Sequence, residues 1–255
     1  MIEQKALSYV NMYGVLGSLE NLCDLDDGAK RILAKLDKPV SLCFKVVGGP
    51  CCTFHFTKSG CKMTEGSAGS NMMMTFAAPQ HFNALIDKSI PGVPVKAPAK
   101  TLKFLMGPFT ELTNILNDVL RASEEKLAAD RDLFVENTMM TMYVIAGAIP
   151  ALANTDSISQ ISAGNTVDGD IEMSIPNVAA ITLRVKDHKF STVKEAAKNP
   201  RATMQFADID LAHGLFAGTV STVNEMCRGN IVLAGMISMI DNVNRILDRV
   251  SVYLA

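Results

Sequence analysis

The feature that most constrains the fold of this chain is a set of short patterns that recur in its second half. The dipeptide Phe-Ala at 76–77, for example, recurs 130 residues later at 206–207. Self-similarity at a fixed spacing indicates one supersecondary unit that is used twice. We therefore predict two modules of one kind, residues 1–122 and residues 123–255.

Hydrophobic alternation predicts corresponding strands in the two modules, because alternating apolar residues share one face of a strand. An offset of 127 aligns the alternation of the first strands, and it sets Phe54 on Ile181 and Phe56 on Leu183. The strands predicted in the first module are 40–47, 52–57, 61–65, 72–76 and 101–105. Those predicted in the second module are 170–174, 180–185, 188–192, 202–206 and 230–234.

Helices are predicted on either side of these strands. Each module opens with apolar helical segments and ends in a helix whose apolar residues recur at spacings of three and four, at 109–119 and 236–254. Strands and helices that are segregated in this way indicate an α+β fold. We expect a five-stranded, mostly antiparallel sheet covered by helices in each module.

The second half carries a further pattern that begins at the end of its fourth strand. Phe206 and Asp208 end the strand, a helix follows and stops at Gly218, and an apolar strand bounded by glycines occupies 229–235. An apolar helix then closes the chain. This order of features resembles the sterol carrier protein domain family, and the likeness covers about 165–250.

The first half resembles the same family less closely, over about 40–120. Ala78 stands where Asp208 stands in the second half, and Pro91 and Pro94 lie in the region that corresponds to Gly218. Proline fixes φ and removes a hydrogen-bond donor. We therefore expect the second module to be the better ligand binder.

The resemblance implies two tandem sterol-carrier-protein-like modules, each with a hydrophobic tunnel between sheet and helices. In that family the tunnel binds sterols, fatty acids or acyl-CoA. The implied function is a non-catalytic carrier or binding protein for a lipid-like apolar ligand, with no cofactor. The candidate ligand-binding residues on the inward faces are Phe76, Leu85, Leu105, Leu112, Leu116, Met204, Phe206, Leu215, Leu233, Met236, Ile240 and Leu247.

Composition and charge exclude other classes of function. The formal net charge is −2, whereas a nucleic-acid binder usually shows a basic face. The apolar stretch 139–153 is shorter than the roughly 20 residues of a membrane span, so no transmembrane segment is expected and membrane contact would be transient. No signal peptide is recognised at the start, and we expect a cytoplasmic protein with its six cysteines reduced.

Two alternatives to a carrier stay open. The cavities of one or both modules can be filled, which would make the duplicate a structural or protein-interaction module. An enzyme that uses the cavity as its active site would need a reactive group, and Cys227, beside Arg228 in a predicted loop, is the main candidate. The cysteine and histidine spacings match no metal motif, and we expect His55 and His188 to be exposed.

Overall fold

The computed structural model describes residues 2–87 and 99–254, and the strands in these ranges form two separate sheets. The chain divides into two compact units, Met1–Glu136 (unit 1) and Asn137–Ala255 (unit 2). The boundary lies later than the one predicted after residue 122. The reason is that the helix Glu124–Ala129 and the first turns of the next helix belong to unit 1.

The two sheets share the order of their first four strands. In unit 1 the order is β3-β2-β1-β4, and in unit 2 it is β7-β6-β5-β8-β9. In both sheets one neighbouring pair, β1 with β4 and β5 with β8, is parallel, and the other pairs are antiparallel. The strands are β1 Val40–Val46, β2 Cys51–Thr57, β3 Gly60–Glu65, β4 Met72–Phe76, β5 Gly169–Ile175, β6 Ala179–Lys186, β7 Lys189–Val193, β8 Ala202–Phe206 and β9 Ile231–Gly235.

Helices flank both sheets, so the α+β prediction is confirmed. Unit 1 opens with α1 Gln4–Tyr9, which continues through a π-helical segment Val10–Val15 and a 3-10 turn Leu16–Ser18 into α2 Leu19–Leu25. Its other helices are α3 Asp27–Ala34, α4 Pro79–Ile86, α5 Ala99–Phe104, the π-helical segment Leu105–Phe109, α6 Thr110–Leu120 and α7 Glu124–Ala129. Helix α8, Arg131–Thr155, begins in unit 1 and continues into unit 2. The remaining helices are α9 Ser159–Gly164, α10 Ile209–Phe216, α11 Thr222–Arg228 and α12 Ile237–Leu254.

The prediction of a fifth strand at 101–105 was wrong, whereas the corresponding strand of unit 2 is present as β9. Residues 99–104 form α5, and Leu105 begins a π-helical segment. Phe104 and Leu105 are both buried, whereas Leu102 and Lys103 are exposed, so burial in this stretch does not alternate from one residue to the next. Lysine, leucine and alanine in this stretch also favour a helix.

The register of the first strands corrects the offset of 127. Leu42 pairs with Phe54 and Met72, whereas Ile171 pairs with Leu183 and Ala202. The offset of 130 between Phe76 and Phe206 sets Met72 on Ala202, so the ladders set Phe54 on Leu183 (183 − 54 = 129), not on Ile181. A slip of two residues keeps every side chain on the same face of a strand, so alternation alone does not distinguish the two offsets.

Helix α8 is the one helix in the described ranges with the length and hydropathy of a membrane span. Its residues 137–153 are buried on several sides, and a helix that is apolar all round is typical of a protein core as well as of a membrane. The side chain of Asn154 forms two hydrogen bonds with the backbone of Phe190 on β7. Its Nδ2 donates to the Phe190 carbonyl at 2.8 Å, and its Oδ1 accepts from the Phe190 N–H at 3.0 Å. In this structure α8 is therefore part of the packing of unit 2.

Asp208 caps α10 as the sequence indicates. Its carboxylate accepts a hydrogen bond from the backbone N–H of Leu211 at 2.8 Å, whereas Ala78 at the start of α4 offers no such bond. We expect Asp208→Ala to lower the free energy of unfolding by about 1 kcal/mol, measured by urea denaturation. Asp208→Asn, which keeps an N-cap acceptor, is the matched control and should cost little. An equal loss in both variants would contradict the capping role.

Candidate functional site

The inner face of the second sheet is a continuous apolar surface. Cross-strand pairs join Ile181 to Met173, Met173 to Met204, and Met204 to Leu233, so one row of apolar side chains crosses four strands. Alternation along each strand adds further rows on the same side. The other members of this face are Ile171, Ile175, Leu183, Val185, Phe190, Ala202, Phe206 and Ile231.

Helices α10 and α12 cover this face at its β8–β9 end. Helix α12 packs against α9, β8 and β9, and α10 packs against β8. Ile240 and Val243 are buried on α12, and the rings of Phe206 and Phe216 meet edge to face with centroids 5.9 Å apart. The sheet, α10 and α12 thus build a layer of apolar side chains that Met204 and Phe206 share.

The apolar layer reaches solvent where β9 forms the edge of the sheet. Leu233 is only half-buried although its partner Met204 is buried, and Met236 directly after β9 is half-buried too. Leu215 on α10 and Leu247 on α12 share this intermediate exposure. We call Leu233 and Met236 the β9 rim. A half-buried apolar group of this kind is a candidate contact for an apolar ligand.

Two local features shape the chain around the β9 rim. Gly235 adopts φ +79°, and a Cβ there would lie 2.2 Å from the carbonyl oxygen of Arg201, so only glycine fits. The Met236 N–H donates to the same carbonyl at 2.8 Å. The buried Glu225 binds Arg228 at 2.7 Å and Asn230 at 2.6 Å, which ties α11 to the start of β9.

The twelve residues predicted to contact ligand fall into two groups by burial. Five of them are half-buried, namely Leu85, Leu215, Leu233, Met236 and Leu247. The fully buried members are Phe76, Leu105, Leu112, Leu116, Met204, Phe206 and Ile240. The structure brings the seven residues of unit 2 onto neighbouring elements. In unit 1, by contrast, α6 with Leu112 and Leu116 packs against α2 and α3.

A cluster of seven phenylalanines fills the interior of unit 1. Phe44 stacks on Phe76 with centroids 6.3 Å apart, and its ring also meets Phe54 at 5.8 Å and Phe109 at 5.7 Å. We call this group the phenylalanine cluster. Its members are Phe44, Phe54, Phe56, Phe76, Phe82, Phe104 and Phe109.

This cluster was not predicted, although the sequence carries a signal for it. The chain has eleven phenylalanines, and only Phe190, Phe206 and Phe216 lie after residue 136. Unit 2 has methionine and aliphatic residues at many of the equivalent sheet positions. The prediction that the second module is the better binder rested partly on Pro91 and Pro94, which lie outside the described residues.

The groups considered for catalysis are placed apart from one another. Cys227 is exposed and lies on α11, not in the predicted loop, because Ser221 caps a helix that begins at Thr222. His188 is exposed, but His55 is half-buried between the side chains of Ser41 and Thr64, each 2.9 Å away. Within the described ranges, no three His, Cys, Asp or Glu side chains could hold a metal ion.

Comparison with known proteins gives partial structural matches. No family model matches the chain, and neither does any curated protein. A UbiJ-SCP2 ubiquinone synthesis protein matches with 10% identity and a TM-score of 0.34, over 43% of this chain and 94% of that one. Sterol carrier protein 2 like 2 from Aedes aegypti matches with 14% identity and a TM-score of 0.30, over 41% and 94%. The alkylsulfatase Pisa1 from Pseudomonas sp. matches with 10% identity and a TM-score of 0.29, over 92% and 43%.

Proposed function

We propose that this protein is a non-catalytic carrier of a lipid-like apolar ligand, and that unit 2 is the part that holds it. The observation that carries the proposal is the β9 rim, where the apolar layer between sheet and helices continues to the protein surface. Leu233 stands beside the buried Met204 in the same cross-strand row, so a ligand at the rim would meet the interior directly.

The chemistry of the rim favours an acyl chain over a polar metabolite. The rim consists of a leucine and a methionine, and methionine is flexible enough to fit chains of different shape. Burial of each methylene contributes about 0.8 kcal/mol, so a chain of several carbons is held without specific polar contacts. Selectivity would then depend on how much chain the site can cover.

A different role for unit 1 is favoured by the phenylalanine cluster. Six of its seven members are buried, and buried rings that contact one another occupy the space that a ligand would need. We therefore propose that unit 1 is a structural or interaction module. Its apolar interior would stabilise the fold and would take no part in carrying the ligand.

We also infer that the two units are versions of one sterol-carrier-protein-like module. The support is the shared strand order, with a parallel pair at the same place in each sheet, and offsets of 129 and 130 between the strands that correspond. Asp26 and Asp156 add to it, because each accepts a hydrogen bond from the N–H three residues later, Ala29 in unit 1 and Ser159 in unit 2. The cytoplasmic location stays a prediction from the sequence.

We expect Met236→Gln to weaken the binding of a fluorescent fatty acid several-fold. The substitution places an amide in the apolar rim, and an amide without a partner there opposes burial of the acyl chain. Because Met236 is only half-buried, the free energy of unfolding should change little. Binding is measured by titration of the full chain, and stability by urea denaturation.

Met106→Gln is the matched control, since Met106 is 73% exposed in unit 1 and lies outside the proposed site. It should leave fatty-acid affinity unchanged. Unchanged affinity in Met236→Gln would show that the β9 rim is not the site. Extraction of the natively purified protein followed by mass spectrometry of lipids then identifies the ligand class.

A further inference from the structure

A pair of cysteine sulfurs lies close together on the face of the first sheet opposite the phenylalanine cluster. Cys43 on β1 pairs with Thr53, and Cys51 on β2 pairs with Lys45, so the two cysteines are diagonal neighbours on one face. Their Sγ atoms are 3.8 Å apart. Cys52, the next residue along β2, points to the opposite face and is buried there.

The two thiols of this pair differ in their access to solvent. Cys43 is 0% exposed, whereas Cys51 is half-buried and can be reached from solvent. Burial raises the pKa of the Cys43 thiol to about 11, even though the Thr53 hydroxyl lowers it somewhat. At neutral pH Cys43 is therefore protonated, and a reagent in solution meets Cys51 first.

We propose that Cys43 and Cys51 form a reversible dithiol–disulfide site that reacts with small-molecule disulfides such as glutathione disulfide. The sulfurs are already in contact, and rotation of both side chains together with movement of the two strands would bring them to the bonding distance of about 2.05 Å. The site lies on the sheet face opposite the phenylalanine cluster, in unit 1. It therefore does not depend on the proposed carrier function.

The reaction proceeds in two exchange steps. The Cys51 thiolate attacks one sulfur of the oxidant, which forms a mixed disulfide and expels one thiolate. Cys43 then gives up its proton and attacks the Cys51 sulfur, so the Cys43–Cys51 bond forms and the second thiol leaves. Two protein thiols are oxidised, and one disulfide is reduced to two thiols.

The test uses the full chain carrying Cys227→Ser, which removes the exposed cysteine that would cross-link two molecules. The folded protein is incubated with glutathione disulfide, and free thiols are counted after unfolding in acid. We expect the loss of two thiols without retained glutathione, reversed by dithiothreitol. Tryptic digestion should yield peptide 36–45 joined to peptide 46–58, with fragmentation placing the bond at Cys51.

Matched variants separate this pair from its neighbours. Cys43→Ser should stop at the mixed disulfide on Cys51, whereas Cys52→Ala should still lose two thiols. Brief treatment of the unmutated pair with N-ethylmaleimide gives the same information without a core substitution, because prior labelling of Cys51 should block disulfide formation. Retained glutathione with Cys43 intact, or no loss of thiols, would overturn the proposal.

Discussion

Replacing Asp156 by alanine is expected to lower the free energy of unfolding by about 3–5 kcal/mol. The Asp156 side chain is 0% exposed and receives Arg249 Nη2 at 3.1 Å, the Tyr253 hydroxyl at 2.7 Å and the Ser159 N–H at 2.9 Å. These bonds join the end of α8, the start of α9 and the last turns of α12. Removing the carboxylate takes away the negative charge that Arg249, which is only 15% exposed, binds in the folded protein.

The matched control for this substitution lies on the same helix. Asp241 and Arg245 form an ion pair of 3.0 Å on α12, but both side chains are more than half exposed. An exposed pair contributes little because water and salt screen it, so Asp241→Ala should cost less than about 1 kcal/mol. Urea denaturation of the unmutated protein, Asp156→Ala and Asp241→Ala measures the difference in the free energy of unfolding. Equal losses in the two variants would show that the buried network is not the cause.

The same network predicts a pH dependence of stability. Burial alone would raise the pKa of the Asp156 carboxyl, but hydrogen bonds from Arg249, Tyr253 and Ser159 outweigh it and lower the pKa from 3.8 to about 2. The folded state thus binds this proton more weakly than the unfolded state. The stabilisation is complete above about pH 4 and is lost as the pH falls towards about 2. The Asp156→Ala protein should lack this contribution, so its stability should fall less steeply across that window.

Replacing Phe44 by alanine is expected to cost about 3–5 kcal/mol and to create an apolar cavity in unit 1. Phe44 is buried at the centre of the phenylalanine cluster, where its ring contacts Phe54, Phe76 and Phe109. Cavities lined by apolar side chains stay dry and take up small apolar molecules. The variant should therefore gain binding of benzene or a similar probe, measured by the rise of its melting temperature with probe concentration.

Val47→Ala, just beyond the end of β1, is the control for this experiment. Val47 is 53% exposed, and its truncation should change the free energy of unfolding by less than about 0.5 kcal/mol and create no probe site. If Phe44→Ala unfolds no more easily than the control, the cluster does not fill unit 1. The structural role proposed for that unit would then have to be abandoned.

Much of the second unit could be predicted from its sequence because the signals there are local. Alternation places Met204 and Phe206 on the inner face of β8, and the carboxylate of Asp208 caps the helix that follows. A side chain three residues from the N–H that it binds needs no distant partner. The apolar stripe of α12 is local in the same sense, since a period of 3.6 residues defines its buried face.

What only the tertiary structure decided involves partners that are distant in sequence. Alternation predicted a strand at 101–105, whereas in the structure Phe104 belongs to a helix and is buried against the rings of Phe56 and Phe109. The predicted offset of 127 was two residues too small, and only the hydrogen-bonded ladders showed this. Asp156 stands 93 residues from Arg249, so its buried network has no local signature. Local patterns determine which face of an element is apolar, whereas long-range packing decides which side chains fill the space between those faces.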